Sequence, residues 1–92
     1  MGFQETFKAL SDKTRREILN MLKKRNMTAG DIAESFSMTQ ATISHHLSVL
    51  KDAGLVSDRR EGKYITYELN TSVIEEIMIW LTDLKEADRD DK

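Results

Sequence analysis

The stretch Thr28–Gly54, TAGDIAESFSMTQATISHHLSVLKDAG, decides the fold. Thr28 and Asp31 have capping-box spacing, with Asp in place of Glu, so a short helix starts after Thr28. It runs from about Ala29 to Ser35 and turns Ile32, Ala33 and then Phe36 inward. Phe36-Ser37-Met38 is a tight connection, and Thr39 is a second good N-cap. From Gln40 the apolar residues fall at Ile43, Leu47 and Leu50, the i, i+4, i+7 pattern of one helix face, with Val49 and Ala53 flanking. Gly54 stops this helix as its C′ residue. A short helix, a three-residue turn and a longer helix in succession have helix-turn-helix spacing.

Upstream, Phe3, Phe7 and Leu10 form another one-faced stripe. Ser11 or Asp12 caps a helix from about Lys13 to Lys24, with Ile18, Leu19, Met21 and Leu22 apolar and the other side basic. Arg25-Asn26 breaks it. Downstream of Gly54 the period changes from 3.6 to 2. Leu55–Arg60 is one extended run. Tyr64–Leu69 is another, with Ile65, Tyr67 and Leu69 on one face and Tyr64, Thr66 and Glu68 on the other. Arg60-Glu61-Gly62-Lys63 is the hairpin turn between them, with Gly62 supplying the positive φ. A two-stranded ribbon directly after a helix-turn-helix is a wing. Asn70 or Thr71 caps a last helix, which spans about residues 71–86. From Val73 to Leu84 its apolar residues are Val73, Ile74, Ile77, Met78, Ile79, Trp80, Leu81 and Leu84. That stripe is wider than the roughly 100° an ordinary surface helix needs. It therefore faces two partners, its own domain and a second chain. The charged tail, residues 86–92, is expected to fray. The fold class is mainly α with a small β-hairpin, in the order ααααββα, and residues 1–92 form a single domain.

The 92 residues limit the rest. A compact monomer of this length has a radius of gyration of roughly 12 Å. Its core is marginal alone, which favours dimerisation. With 39% hydrophobic and 33% charged residues, the chain is too apolar for disorder and too charged for a membrane span. MGFQETFKAL has no basic region followed by an apolar one, so no secretory signal is expected. The absence of cysteine removes disulfides, thiolate metal sites and Cys nucleophiles. The two histidines, His45 and His46, are adjacent, so on a helix they diverge by about 100° and do not chelate as an i,i+4 pair does. Ser44 beside His45 is a poor nucleophile–base pair for the same reason. No enzyme and no cofactor are expected.

The net charge of −2 hides an asymmetry. Residues 1–70 carry 11 Lys+Arg against 9 Asp+Glu, whereas residues 71–92 carry 3 against 7. Residues 35–51 contain no acid. The helix from Gln40 to Ala53, about 21 Å long, turns Gln40, Ala41, Thr42, Ser44, His45 and Ser48 outward. Apart from Ala41, placed for a thymine methyl, these are short hydrogen-bonding groups suited to base edges in a major groove, and Gln40 is an amide that pairs bidentately with adenine. The alternative is a solvated polar face, but such faces carry Glu and Lys, and this one has neither until Lys51, which joins the expected DNA contacts. His46 is expected at the core boundary, its ring nitrogen bonded to backbone. Arg60 and Lys63 in the wing, and Arg59 less so, are placed for phosphate or a flanking minor groove. The same charges also protect an edge ribbon from aggregation. Lys23, Lys24 and Arg25 complement a helix C-terminus. Arg15 and Arg16, near that helix's start, are expected to reach backbone phosphates.

The segments FKALSDKTRREILNMLK and MTAGDIAESFSMTQATISHHLSVLKDAGLVSDRREGKYITYEL resemble the ArsR-type winged helix-turn-helix repressors of bacteria and archaea over nearly the whole chain. The SDKTRREIL and MTAGDIAE segments are most similar to the metal-independent SdpR-like autorepressors. The resemblance implies a cytoplasmic, nucleoid-associated repressor that binds a double-stranded DNA operator as a homodimer. It also implies an inducing signal from a protein partner or a membrane-bound partner that sequesters it. Many members sense metal through Cys-x-Cys-Asp-Leu-Ala. Here Thr28 and Gly30 occupy the thiolate positions, and the last helix has no His, so no metal sensing is expected.

Phe3, Phe7, Leu10, Ile74, Ile77, Met78, Trp80, Leu81 and Leu84 are the expected dimer seam. Two-fold symmetry then sets the recognition helices roughly 34 Å apart on an inverted repeat. The competing reading is a winged-helix protein–protein interaction module that uses the same apolar helix.

Overall fold

In the computed structural model, which describes residues 3–86, the Thr28 hydroxyl accepts from the Asp31 N–H at 3.1 Å and the Asp31 carboxylate accepts from the Thr28 N–H at 3.3 Å. This reciprocal box starts α3 (Ala29–Glu34). Thr39 accepts from the Thr42 N–H at 3.2 Å and starts α4 (Gln40–Asp52). The end of α4 closes twice, Gly54 N–H onto the Lys51 carbonyl and Leu55 N–H onto the Leu50 carbonyl, both at 3.0 Å. Gly54 has φ +78°, the left-handed conformation this closure requires. The carbonyls left over at a helix end are thus satisfied, and Leu50 and Leu55 are brought together in the core.

Before this pair lie α1 (Gln4–Leu10) and α2 (Lys13–Lys24), the latter capped by Asp12, whose carboxylate accepts from the Arg15 N–H at 3.0 Å. After it come β2 (Val56–Glu61), β3 (Tyr64–Leu69) and α5 (Ser72–Glu86). Gly62, φ +65°, makes the hairpin turn. Ile18 of α2, Ile32 of α3, Ile43, Leu47 and Leu50 of α4 and Leu55, just before β2, are fully buried. At about 1.5–3 kcal/mol per buried aliphatic side chain, this cluster holds the helix-turn-helix to α2 and the base of the hairpin.

The structure corrects the expected order in one place. A two-residue strand, β1 (Met27–Thr28), precedes α3 and pairs antiparallel with β3, Met27 opposite Tyr67 and Thr28 opposite Thr66. The sheet is therefore three-stranded, β1-β3-β2, and the order is ααβααββα. Two residues are too few to show a period, so the strand leaves no pattern in the sequence.

The size expectation is corrected too. The radius of gyration is 15.6 Å, well above the compact value. The physical reason is α5. Val73 and Ile74 pack against the core and Ile77 is buried, but from Met78 onward only Trp80 among the apolar residues meets the rings of Phe3 and Phe7 of α1, and Met78, Ile79, Leu81 and Leu84 lie largely in solvent. Of the expected fraying tail, residues 86–92, Glu86 is the last residue of α5 and residues 87–92 lie outside the described residues.

Candidate nucleic-acid interface

Helix α4 buries Ile43, Leu47 and Leu50. Helical geometry then turns Gln40, Ala41, Thr42, Ser44, His45 and Ser48 away from the core, and all six are exposed. The Thr39 hydroxyl donates to the Thr42 hydroxyl oxygen at 3.0 Å, which leaves the Thr42 hydrogen free to donate outward. Gly30 of α3 faces the Gln40 side-chain oxygen, so the turn between the helices does not crowd that amide.

The wing sorts its charges by face. The register sets Arg60 opposite Ile65 and Asp58 opposite Tyr67, on the face that carries Leu69 toward the core. Arg59, Glu61, Thr66 and Glu68 occupy the other face. There Arg59 donates to Glu61 at 2.9 Å and to Glu68 at 3.4 Å, and the Thr66 hydroxyl donates to Glu61 at 3.1 Å. The bond from Arg59, then that from Thr66, holds the Glu61 carboxyl below its ordinary pKa. The Glu61 bond likewise raises the Arg59 guanidinium further. Arg59 is thereby occupied within the wing. Arg60 and Lys63 are exposed and make no ion pair among the described residues. Between the wing and α4 runs a groove of about 320 Å³ lined by Gln40, Ser44, Lys63, Tyr64 and Ile65, with Thr28, Ala29, Gly30 and Tyr67 completing it. Tyr64 was not singled out in the sequence reading. The signal was there, in an aromatic next to Lys63 on the outward side of the period-2 run.

Three residues expected to contact DNA have partners within the chain. Lys51 lies in the last turn of α4 and its Nζ pairs with Asp58 of β2 at 3.1 Å, which ties the helix to the wing. Arg15 donates from Nε to the Ala9 carbonyl at 2.8 Å and from Nη2 to the Lys8 carbonyl at 3.2 Å. Arg16 donates from Nη1 to the Leu10 carbonyl at 2.7 Å. Both arginines add donors at the last carbonyls of α1, beside Ser11, whose N–H and hydroxyl also donate to the Lys8 carbonyl. Arg15 Nη1 also lies 3.2 Å from Nδ1 of His46. His46 sits at the core boundary as expected, but its partner is this guanidinium and not the backbone. Burial of the ring, more than any neighbouring charge, holds the His46 pKa below its ordinary value.

The expected seam divides in two. Leu10 and Ile74 pack against the core and Ile77 is buried at 7% exposure, so these three serve the chain's own interior. Phe3 and Phe7 meet Trp80 with ring centroids 6.0 and 6.1 Å apart, joining α1 to α5. Met78, Trp80, Leu81 and Leu84 remain 42–60% exposed, and Ile79, not included in the expected seam, is 65% exposed. Among the described residues no three His, Asp or Glu side chains converge on a point. The donor set of this chain, without thiolates and without imidazole on α5, does not fit a soft-metal site.

The chain was compared with known proteins. The family described as bacterial regulatory protein, arsR family, matches residues 12–58. The transcriptional repressor SdpR of Bacillus subtilis (strain 168) is 49% identical over 85 residues, covering 91% of this chain and 94% of that protein. The arsenical resistance operon repressor of Staphylococcus aureus is 39% identical over 71 residues, 77% of this chain and 68% of that one. Among solved structures, an ArsR-like transcriptional regulator from Rhodococcus sp. RHA1 superposes with a TM-score of 0.87 at 31% identity, over 95% of this chain and 81% of that one.

Proposed function

The chain belongs to the arsR family of bacterial regulatory proteins, DNA-binding transcriptional repressors and not enzymes, and from that premise we propose that it represses as a homodimer on an inverted-repeat operator, without sensing metal. The observation that carries the reading is a juxtaposition: Gln40 and Ser44 of the exposed, acid-free α4 face share one groove with Lys63 of the wing, and Arg60 of the same wing is exposed and in no ion pair among the described residues. Gln40, Ala41, Thr42, Ser44, His45 and Ser48 read base edges. Arg60 and Lys63 hold the backbone or the adjacent minor groove. Tyr64 joins them from the groove between helix and wing.

The second copy covers the outer face of α5. Monomers seldom leave an apolar strip such as Met78, Ile79, Leu81 and Leu84 in water, and α5 meets its own domain only through its first half and Trp80. Metal independence rests on the donor set, with Thr28 and Gly30 where other members carry cysteines. The signal that releases DNA then comes from a partner protein, soluble or membrane-bound.

The test is titration against a duplex of the gene's own upstream region, at two salt concentrations, with zinc and with EDTA. Tight, salt-sensitive binding that ignores both additions is expected. Binding that collapses with zinc overturns metal independence. Absence of binding above a random duplex, in random-sequence selection as well, favours the interaction-module reading.

A further inference from the structure

Arg15 stands where three elements meet. Two of its donors hold the Ala9 and Lys8 carbonyls at the end of α1, and Nη1 reaches Nδ1 of His46 on α4. Its own N–H is held by Asp12, the cap of α2. A guanidinium keeps its protons and accepts nothing, so this contact is a hydrogen bond only when Nδ1 of His46 is bare. The ring is then neutral, with its proton on Nε2. A second tie joins the same two helices at the far end of α4, where the buried Thr6 hydroxyl donates to the Ala53 carbonyl at 3.3 Å. α1 is therefore strapped along α4, and its Phe3 and Phe7 carry the strap to Trp80.

We propose that Arg15 is a positioning residue for DNA reading: through His46 it fixes the seat of α4 against α1, and the hold opens when His46 takes a proton. The inference rests on the DNA-reading role proposed for α4. His46 is followed along the helix by Ser48 and preceded by Ser44 and His45, so a small rotation of α4 at this point moves every outward side chain together. Recognition tolerates displacements of only about 0.5 Å. Protonation removes the acceptor and sets two cations 3.2 Å apart. The charged groups about the ring oppose one another. Burial disfavours the proton, as do Arg15 and His45, whereas Asp12 favours it. Glu5 and Lys8 of α1 and Asp52 of α4 line the same seam farther along. His45, the other histidine of α4, belongs to the outward DNA-reading set, so its own contribution is removed before His46 is tested.

The test therefore uses the full chain with His45→Ala as background, alone and combined with His46→Asn. Asparagine keeps an uncharged acceptor near the Nδ1 position and does not titrate. Affinity for an operator duplex and for a random duplex is measured at fixed salt from about pH 7.5 to about pH 5.5. In the His45→Ala protein the operator Kd is expected to rise about fivefold to tenfold on acidification. With His46→Asn added the rise shrinks below about twofold, and the random duplex shows no difference between the two proteins. Equal operator slopes overturn the proposal. A DNA-free measurement separates its failure from that of the DNA-reading proposal. Nitrogen NMR of His46 is expected to show the Nε2–H tautomer with a bonded Nδ1, and the protection of the α1 amides, referenced to their intrinsic exchange rate at each pH, is expected to fall as His46 takes a proton. An unbonded ring, or protection indifferent to its titration, overturns the hold whatever the DNA does. A bonded ring in a protein that prefers no operator at any pH overturns the positioning role and the DNA-reading role together.

Discussion

Gly54 is the residue on which the helix-turn-helix and the wing both depend. Its φ of +78° suits no side chain, and a Cβ there would lie 2.9 Å from Cγ2 of Val73 at the start of α5. Gly54→Ala is expected to cost about 1 kcal/mol for the backbone alone and more for the contact, lowering Tm by about 5–10 °C in a domain this small. Gly62, with φ +65° and open space around it, is expected to show only the backbone part. Differential scanning calorimetry of the two alanine variants separates the terms. The Asp12 and His46 pair gives the pH dependence. The backbone N–H of Arg15 holds the Asp12 carboxyl below its ordinary value, so its stabilisation is full above about pH 4 and is lost as pH falls through the lowered folded value. His46 is also lowered. The unfolded chain therefore takes up its proton first, and stability declines as pH falls from about 6.5 toward the folded value. Denaturant midpoints across pH are expected to decline in two steps, the upper one missing in His46→Asn. Gly54 was legible in the sequence because a glycine after an i, i+4, i+7 stripe has one common meaning. Arg15 was not, because the same guanidinium suits a phosphate and a helix end equally well.

At the scale of elements, the wing is the informative case. Arg59 and Arg60 are adjacent in sequence and both basic, and the pleat sends them to opposite faces. Arg59 meets Glu61 and Glu68, in exposed ion pairs that contribute little to stability. Arg60 remains available. Arg60→Ala is expected to weaken binding to all sequences alike and to reduce the slope of log affinity against log salt by about one. Arg59→Ala is expected to leave that slope unchanged. Equal effects of the two variants would show that the ion pairs break on binding. Gln40→Ala, in contrast, is expected to cost about 1–3 kcal/mol and to relax preference at one base pair, read by a set of single-substitution duplexes. The period-2 alternation gave the two faces of the ribbon in advance. It did not give β1, whose pairing with β3 depends on where α2 delivers the chain.

For the whole molecule the question is what covers α5. Trp80 is an ambiguous probe because it touches Phe3 and Phe7 of its own chain. Leu81 and Leu84 are cleaner, at 48% and 57% exposure. In a monomer, truncating either to alanine changes stability by less than about 0.5 kcal/mol. At a dimer seam the pair together is expected to cost more than about 2 kcal/mol of association. Operator affinity then falls about a hundredfold or more, since a monomer engages one half-site. Sedimentation beside DNA titration checks this, and a dimer unaffected by both changes would move the seam elsewhere.

The sequence by itself determined the helices, their caps, the hairpin and the outward face of α4. Each depends on residues within a turn or two of one another, where capping, periodicity and glycine conformation act. It also determined the family, through the dense run from Ile43 to Leu69. Only the tertiary structure decided which cations are free. Arg15, Arg16, Lys51 and Arg59 each have a carbonyl or carboxylate partner within the chain, brought close by the packing of separate elements or by the pleat of the wing. Arg60 and Lys63 are left exposed at the wing. A charge's partner is set by distance in space, and a linear pattern carries that distance only within a single element.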